Sequence, residues 1–220
     1  MIGNIFVLLL SIVLGIGGFI VYQFFQPTTQ KDSNNATVTT TPTSTASYSL
    51  QDAPGNSLKA EITSMAGEIL WQSRTATEPA ELKEKVSLQQ GEKIVTGNTG
   101  NVTLSLGDTI QVIEKKDTMI ALTQTLPVNI VFTHQVGTAT YIQSANDSPV
   151  SIRIRRLLVR MNKGTVTITT EDEDPYIYVN VDKGEVELAY NDEDFTSQLV
   201  TVTAGEEFRF NNDKRIGRLQ

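Results

Sequence analysis

The chain has no cysteine and a single histidine, His134, among its 220 residues. The missing thiols exclude disulfides, a thiolate nucleophile, thiolate metal sites and a lipoprotein-type anchor. One imidazole excludes His/Cys metal clusters by count. Any serine-type triad would have to use His134 as its base. That residue sits in Val131-Phe132-Thr133-His134-Gln135-Val136, where alternation with apolar residues predicts a ring facing solvent from a strand. Basic charge is also in short supply: 18 Lys and Arg against 25 Asp and Glu give a net charge of −7. Such a balance argues against a nucleic-acid partner.

Charge is missing altogether from the start of the chain, where the first charged residue is Lys31. The apolar run Ile2 to Phe25 would rise roughly 36 Å as a helix, enough for a hydrocarbon core that needs about 20 apolar residues. A cleaved signal peptide expects a basic start, a shorter apolar stretch and small residues at the cut. Here Tyr22-Gln23-Phe24-Phe25 is bulky. A pilin-type stem would want an acidic residue near the start of the run, and none is there. Residues 1–26 are therefore expected to form a transmembrane anchor in the lipid bilayer, with the remainder outside the cytoplasm.

Residues 27–58 read as a disordered linker, with Thr37, Thr39, Thr40, Thr41, Thr43 and Thr45 crowding around Pro42 and little that could build a core. Residues 59–220 read as one all-β domain of stacked strands, a sandwich, a roll or a solenoid-like arrangement, that must stand on its core alone. Three N-x-S/T triplets begin at Asn35, Asn101 and Asn146, and chance readily produces such triplets.

The folded part repeats itself. Residues 162–174, NKGTVTITTEDED, match residues 182–194, DKGEVELAYNDED, with Lys163/Lys183, Gly164/Gly184, Val166/Val186 and the closing acidic triplets identical. Gly205 to Phe210 is a looser copy, and Gly67, Gly91, Gly107 and Gly137 each open a similar strand-like segment. Glycine supplies the positive φ that turns need. The repeat predicts successive rungs, with Gly164 and Gly184 in equivalent turns and Val166 beside Val186 in the core. The acidic loops Glu171 to Asp174 and Asn191 to Asp194 would then lie near each other. Pro79 to Val86, capped by Thr77, is the one helix-like segment. The apolar phase flips across Arg155-Arg156, which predicts a β-bulge.

Leu88-Gln89-Gln90-Gly91-Glu92-Lys93-Ile94-Val95-Thr96-Gly97 is followed by Gly100 to Leu106 and Gly107-Asp108-Thr109-Ile110-Gln111-Val112. This stretch resembles the FecR-type periplasmic domain. Gly67 to Trp71 matches the family's first strand, and Val181 to Leu188 with Leu199 to Phe210 resemble its closing strands, so the likeness spans about residues 60–210. Two departures stand out. Gly107-Asp108 inverts the usual Asp-Gly order, and only Met1 to Asn4 precede the span, where sigma-factor regulators carry an anti-sigma segment. The resemblance implies an extracytoplasmic all-β sensing or docking domain and does not carry over the sigma-factor output.

The residues offer little catalytic chemistry. Asp172, Asp174, Asp192 and Asp194 lack the spacing of a known calcium loop, and acidic turns are no sign of a glycosidase cleft. Trp71, Phe208 and Phe210 read as core. Arg153, Arg155, Arg156 and Arg160, with Lys163, are the one basic concentration. They could bind an anionic ligand or partner, since guanidinium grips carboxylate and phosphate bidentately. They could equally pair with the acidic loops. The expectation is a membrane-anchored, non-catalytic module with no cofactor, which senses, binds a ligand or docks an envelope protein or glycan. The alternative is an envelope structural or surface-adhesion protein using the same domain as scaffold.

Overall fold

The computed structural model describes residues 50–144 and 148–220. The proposed membrane span and most of the Thr-rich linker lie outside the described residues. From Leu50 onward the chain is held to the β domain: Leu58 N donates to Thr125 O, Ala53 N to the Gln89 side chain and Arg74 Nε to Leu50 O. No helix forms among the described residues. Fifteen strands follow in order: β1 (Ala60–Ala66), β2 (Ile69–Gln72), β3 (Ala80–Glu81), β4 (Ser87–Leu88), β5 (Lys93–Thr96), β6 (Asn101–Leu106), β7 (Ile110–Glu114), β8 (Met119–Leu126), β9 (Asn129–Gln143), β10 (Val150–Ile154), β11 (Leu157–Thr170), β12 (Tyr176–Asn191), β13 (Ser197–Thr203), β14 (Glu207–Asn211) and β15 (Ile216–Leu219).

Local sequence explains most of these strands. In β6, Val102, Leu104 and Leu106 are buried while Asn101, Thr103 and Ser105 are not. In β10, Val150, Ile152 and Ile154 are buried against Ser151 and Arg153. This period of two is what a sheet with one buried face requires. The strands join into one open sheet whose end strands do not meet.

Three long strands give the sheet its shape, because each takes different neighbours at its two ends. The first half of β9 pairs with β8 and β10, and its second half with β7 and β11. Residues 157–161 of β11 pair with β10, and residues 164–170 pair with β9. Residues 176–180 of β12 pair with β14, and residues 185–191 with β13. The two sets of strands fold over and share a core. Phe132 in the first half of β9 lies 5.8 Å from Tyr141 in its second half. Tyr190 of β12 meets Phe210 of β14 at 4.9 Å.

The fold-over occurs at glycines. Gly164 of β11 faces Gly184 of β12 directly, and the register shifts on either side. Their φ angles are 145° and 78°. A Cβ on Gly164 would fall 2.2 Å from Lys183 O, and one on Gly184 would fall 2.4 Å from Lys163 O. Only a residue without Cβ lets the two backbones approach so closely. Gly137, at the midpoint of β9, has φ 95° and the same intolerance of a side chain.

Several expectations are corrected here. The two copies of the repeat are not successive rungs. They are the two strands of one antiparallel pairing, and their glycines face each other in mid-strand instead of turning. Val166 accordingly pairs with Val181, and Val186 with Met161. Pro79 to Val86 holds the two-residue strand β3 and irregular chain instead of a helix. Its backbone satisfies itself across strands: Leu82 N donates to Ile69 O, and Leu82 is buried. At Arg155-Arg156 there is no bulge. The pair is a two-residue hairpin turn with Ile154 opposite Leu157 and φ 48° at Arg155. A two-residue loop puts the residues flanking it on the same face, which is why the apolar phase flips there.

If the facing glycines set the bend, Gly164→Ala and Gly184→Ala should each cost about 1 kcal/mol or more, since both the φ and the close backbone oppose a side chain. Gly107 has φ 53° and open space around its Cβ position, so Gly107→Asn should cost far less. Urea unfolding midpoints of the three variants check the ranking, and a Gly107 variant as damaging as the others would refute it.

Candidate functional site

Folding β11 and β12 over at Gly164 and Gly184 brings distant turns to one end of the domain. The Arg155 guanidinium donates to the carbonyls of Asp174 at 2.8 Å, Glu171 at 2.5 Å and Asp172 at 3.4 Å. Arg156 donates through Nη1 to Asn212 O at 3.1 Å and through its backbone N–H to Asn212 Oδ1 at 3.3 Å. The β10–β11 turn is thereby tied to the β11–β12 loop and to the β14–β15 turn. Beside them Arg215 stacks over the exposed ring of Phe195 at 4.0 Å, joining the β12–β13 loop to the same end.

A shallow groove of about 310 Å³ opens at this end, lined by Arg153, Arg155, Arg156, Leu158, Ala189 and Asn191 among others. Arg153 is exposed on the outer face of β10, and its side chain makes no hydrogen bond or ion pair among the described residues. The Arg156 guanidinium keeps N–H groups beyond the one its Nη1 gives to Asn212. Three of the four expected arginines therefore share one groove. Arg160 does not line it, and makes a loose ion pair with Glu187 at 4.0 Å on the exposed face. Lys163 lies elsewhere, beside Gly184 and Glu185.

The acidic loops do reach the end where Arg155 is placed, but Arg155 grips only carbonyl oxygens of the first, Glu171 to Asp174, and no carboxylate of either. Those carboxylates serve as local turn caps. Asp174 Oδ1 accepts from Tyr176 N, and Asp192 Oδ1 accepts from Asp194 N and Thr196 N. The Gln198 side chain and the Thr196 N–H hold the Asp192 carboxyl below its usual range. Among the described residues, no group of three or more His, Asp or Glu converges to hold a metal ion.

His134 overturns its expectation. It is wholly buried, because it shares the phase of Ile130 and Phe132 on β9. Its Nε2–H donates to Gly137 O at 3.1 Å, so Nδ1 accepts the Tyr141 hydroxyl at 3.2 Å. Burial lowers the imidazole pKa from 6.5 to about 4. Nearby Glu114 is fully buried with neither carboxyl oxygen hydrogen-bonded, and burial raises its pKa well above 4.5. The sequence reading passed over Glu114. Its signal was phase, since it continues the inward series of Ile110 and Val112. His134 is uncharged at neutral pH, burial favours the protonated form of Glu114, and the two line none of the grooves described here. They make a polar knot in the core where β9 changes layers.

Two crystal structures of a protein proposed to be an anti-sigma factor, from Parabacteroides distasonis ATCC 8503 and solved at 2.50 and 1.65 Å resolution, match this chain with TM-scores of 0.51. Identity is 18% and 17%, and each match covers 58% of this chain and 58% of the other. The fold is shared. The chain thus aligns with little more than half the length of those structures. No protein-family model and no curated protein matches the sequence.

The buried pair predicts a particular pH response. His134 is neutral when folded but takes a proton when unfolded below its ordinary pKa, so its contribution is lost as pH falls from 6.5 toward 4, by about 3 kcal/mol in total. Glu114 acts oppositely: burial raises its folded pKa above the 4.5 of the free carboxyl, so stability falls as pH rises through that range. Glu114→Gln should raise stability at pH 7 by about 1 kcal/mol or more and steepen the rise between pH 4.5 and 6.5. Urea midpoints across this range test it, and a variant less stable than wild type at pH 7 contradicts it.

Proposed function

We propose that this chain is a membrane-anchored signalling-regulator domain of the FecR kind, working outside the cytoplasm as a non-catalytic docking module. One observation carries the reading. Arg153 stands exposed and unpartnered in a groove whose other arginines, Arg155 and Arg156, are fixed by backbone carbonyls. A guanidinium held without a partner on an acidic protein is available to an external anion. The apolar walls from Leu157 and Leu158, with the small Ala189 between strands, suit a carboxylate carried on a short apolar stem. The shared fold with structures of a proposed anti-sigma factor supports a regulatory role, and the resemblance at Leu88 to Gly97 supports the extracytoplasmic address.

The groove is shallow and open, and the buried His134 and Glu114 lie outside it. It has neither the enclosed pocket nor the acid and base of an enzyme site. A scaffold or adhesin remains the second reading, favoured by the long uncharged strand β13 at one sheet edge.

Two measurements test this. Calorimetric titration of the full chain in detergent micelles with poly-L-glutamate should show binding that Arg153→Glu weakens about tenfold or more, with the thermal midpoint unchanged. Equal binding by that variant sinks the groove. For the address, N-terminal sequencing of membrane-extracted protein should begin before residue 25, and external protease should digest the domain in spheroplasts. A mature N-terminus beyond Phe25, or a protected domain, overturns it.

A further inference from the structure

Among the described residues, four strands have a neighbour on one side only: β3, β4, β13 and β15. Open edges invite pairing with other chains, and proteins blunt them by shortness, charge or bulges. The strands β3 and β4 are two residues each, and β15 is four residues and carries Arg218. By contrast β13, Ser197-Gln198-Leu199-Val200-Thr201-Val202-Thr203, is seven residues without charge, proline or register shift. Leu199 at its centre is 71% exposed. It is the one edge left without protection.

The hydrogen-bond parity of β13 shows which groups are free. Thr203 N donates to Glu206 Oε2, and Ala204 N donates to Gly184 O. At the other end Asp192 N donates to Thr196 O. With the register Glu185↔Thr203 through Asn191↔Ser197, the even-numbered residues bond to β12. The N–H and C=O groups of Ser197, Leu199 and Thr201 therefore point outward from the sheet.

We propose that β13 receives an added strand from a partner protein: an extended, β-branched segment that carries basic residues. The backbone supplies the pairing and the charge around the edge selects the occupant. The outward row on β12 beside the edge is Glu185, Glu187, Ala189 and Asn191. Glu206 closes one end of β13, and Asp192, Glu193 and Asp194 close the other. Against these stand Arg160, already facing Glu187, Lys163 beside Glu185, Arg155 and Arg156, already bonded to loop carbonyls near the Ser197 end, Arg153 farther off on β10, and Arg215, stacked on Phe195. A second copy paired antiparallel would bring the acidic loop of each chain to Glu206 of the other, so the charge disfavours self-pairing. The edge adjoins the arginine groove, which Ser197 and Gln198 of β13 also line, but the inference rests on the outward backbone groups and not on an anion bound in that groove.

The test is amide hydrogen exchange of the full chain in detergent micelles, read by NMR. The probes are a capped seven-residue peptide alternating Lys and Val and its Glu/Val counterpart. The Lys peptide should slow exchange at Leu199 and Thr201 about tenfold or more, leaving Val200 and Val202, already bonded to β12, as internal controls. Thr201→Pro removes an outward N–H that no intramolecular bond uses, so it should fold and abolish the slowing. Should that variant fail to fold, Leu199→Lys at the exposed centre serves instead and should weaken the effect through like charge. Arg153→Glu, which leaves the β13 backbone untouched, should not abolish the slowing. Absent slowing, equal slowing by the Glu peptide, or slowing retained in the Thr201 variant overturns the proposal. Slowing that grows with protein concentration and needs no peptide assigns the edge to a second copy and overturns it too.

Discussion

The architecture depends on the close approach of two backbones at Gly164 and Gly184. There two neighbouring strands lack Cβ atoms at facing positions, and each would-be Cβ falls on the other strand's carbonyl. Because β11 and β12 bend together at that point, each strand serves in two layers, with a different outer neighbour in each. Without the bend, Phe208 and Phe210 of β14 could not cover Tyr190 of β12. The β10–β11 turn would also be a full strand length from the loop it now grips. Packing, the arginine latch and the groove all follow from this close contact.

The latch illustrates how a basic cluster on an acidic protein divides its labour. Arg155 and Arg156 donate to main-chain carbonyls, so their positions are set by backbone and not by the ionisation of a neighbour. Hydrogen bonds from a charged donor to a neutral carbonyl satisfy loop groups that would otherwise rely on water. Arg160 is held only loosely, and exposed pairs of that kind contribute little. Arg153 keeps its full donor set for solvent or a ligand. A run that looks uniform in sequence thus contains structural and available members, distinguished by where the hairpin turn places each one.

The polar knot at Glu114, Tyr141 and His134 sits where β9 passes from one layer to the other. Its hydrogen bonds fix the imidazole tautomer and hold the chain around Gly137. Glu114 has no such compensation, and a buried carboxyl with unpartnered oxygens is tolerated only because the surrounding apolar core outweighs it. The two groups titrate in opposite senses, so the pH dependence of one partly masks that of the other.

Local rules were legible in the sequence. The seven glycines that open strand-like segments, from Gly67 to Gly205, all have positive φ, and alternation located the strands of the core. The grouping of arginines was visible too, as were Phe208 and Phe210 as core residues. Pairing was not legible, because a 20-residue repeat fits two stacked rungs or two antiparallel strands equally well, and equivalent positions of the two copies face each other across the hairpin only at the glycines. Inward-facing polar groups were missed for a related reason: His134 and Glu114 lie on the buried face through strand phase alone, against their chemistry. Sequence by itself determined which segments become strands and where the backbone needs freedom, since both depend on neighbouring residues along the chain. Tertiary structure alone decided which strands meet, which arginines stay free and which edge stays open, since each depends on contacts between residues far apart in sequence.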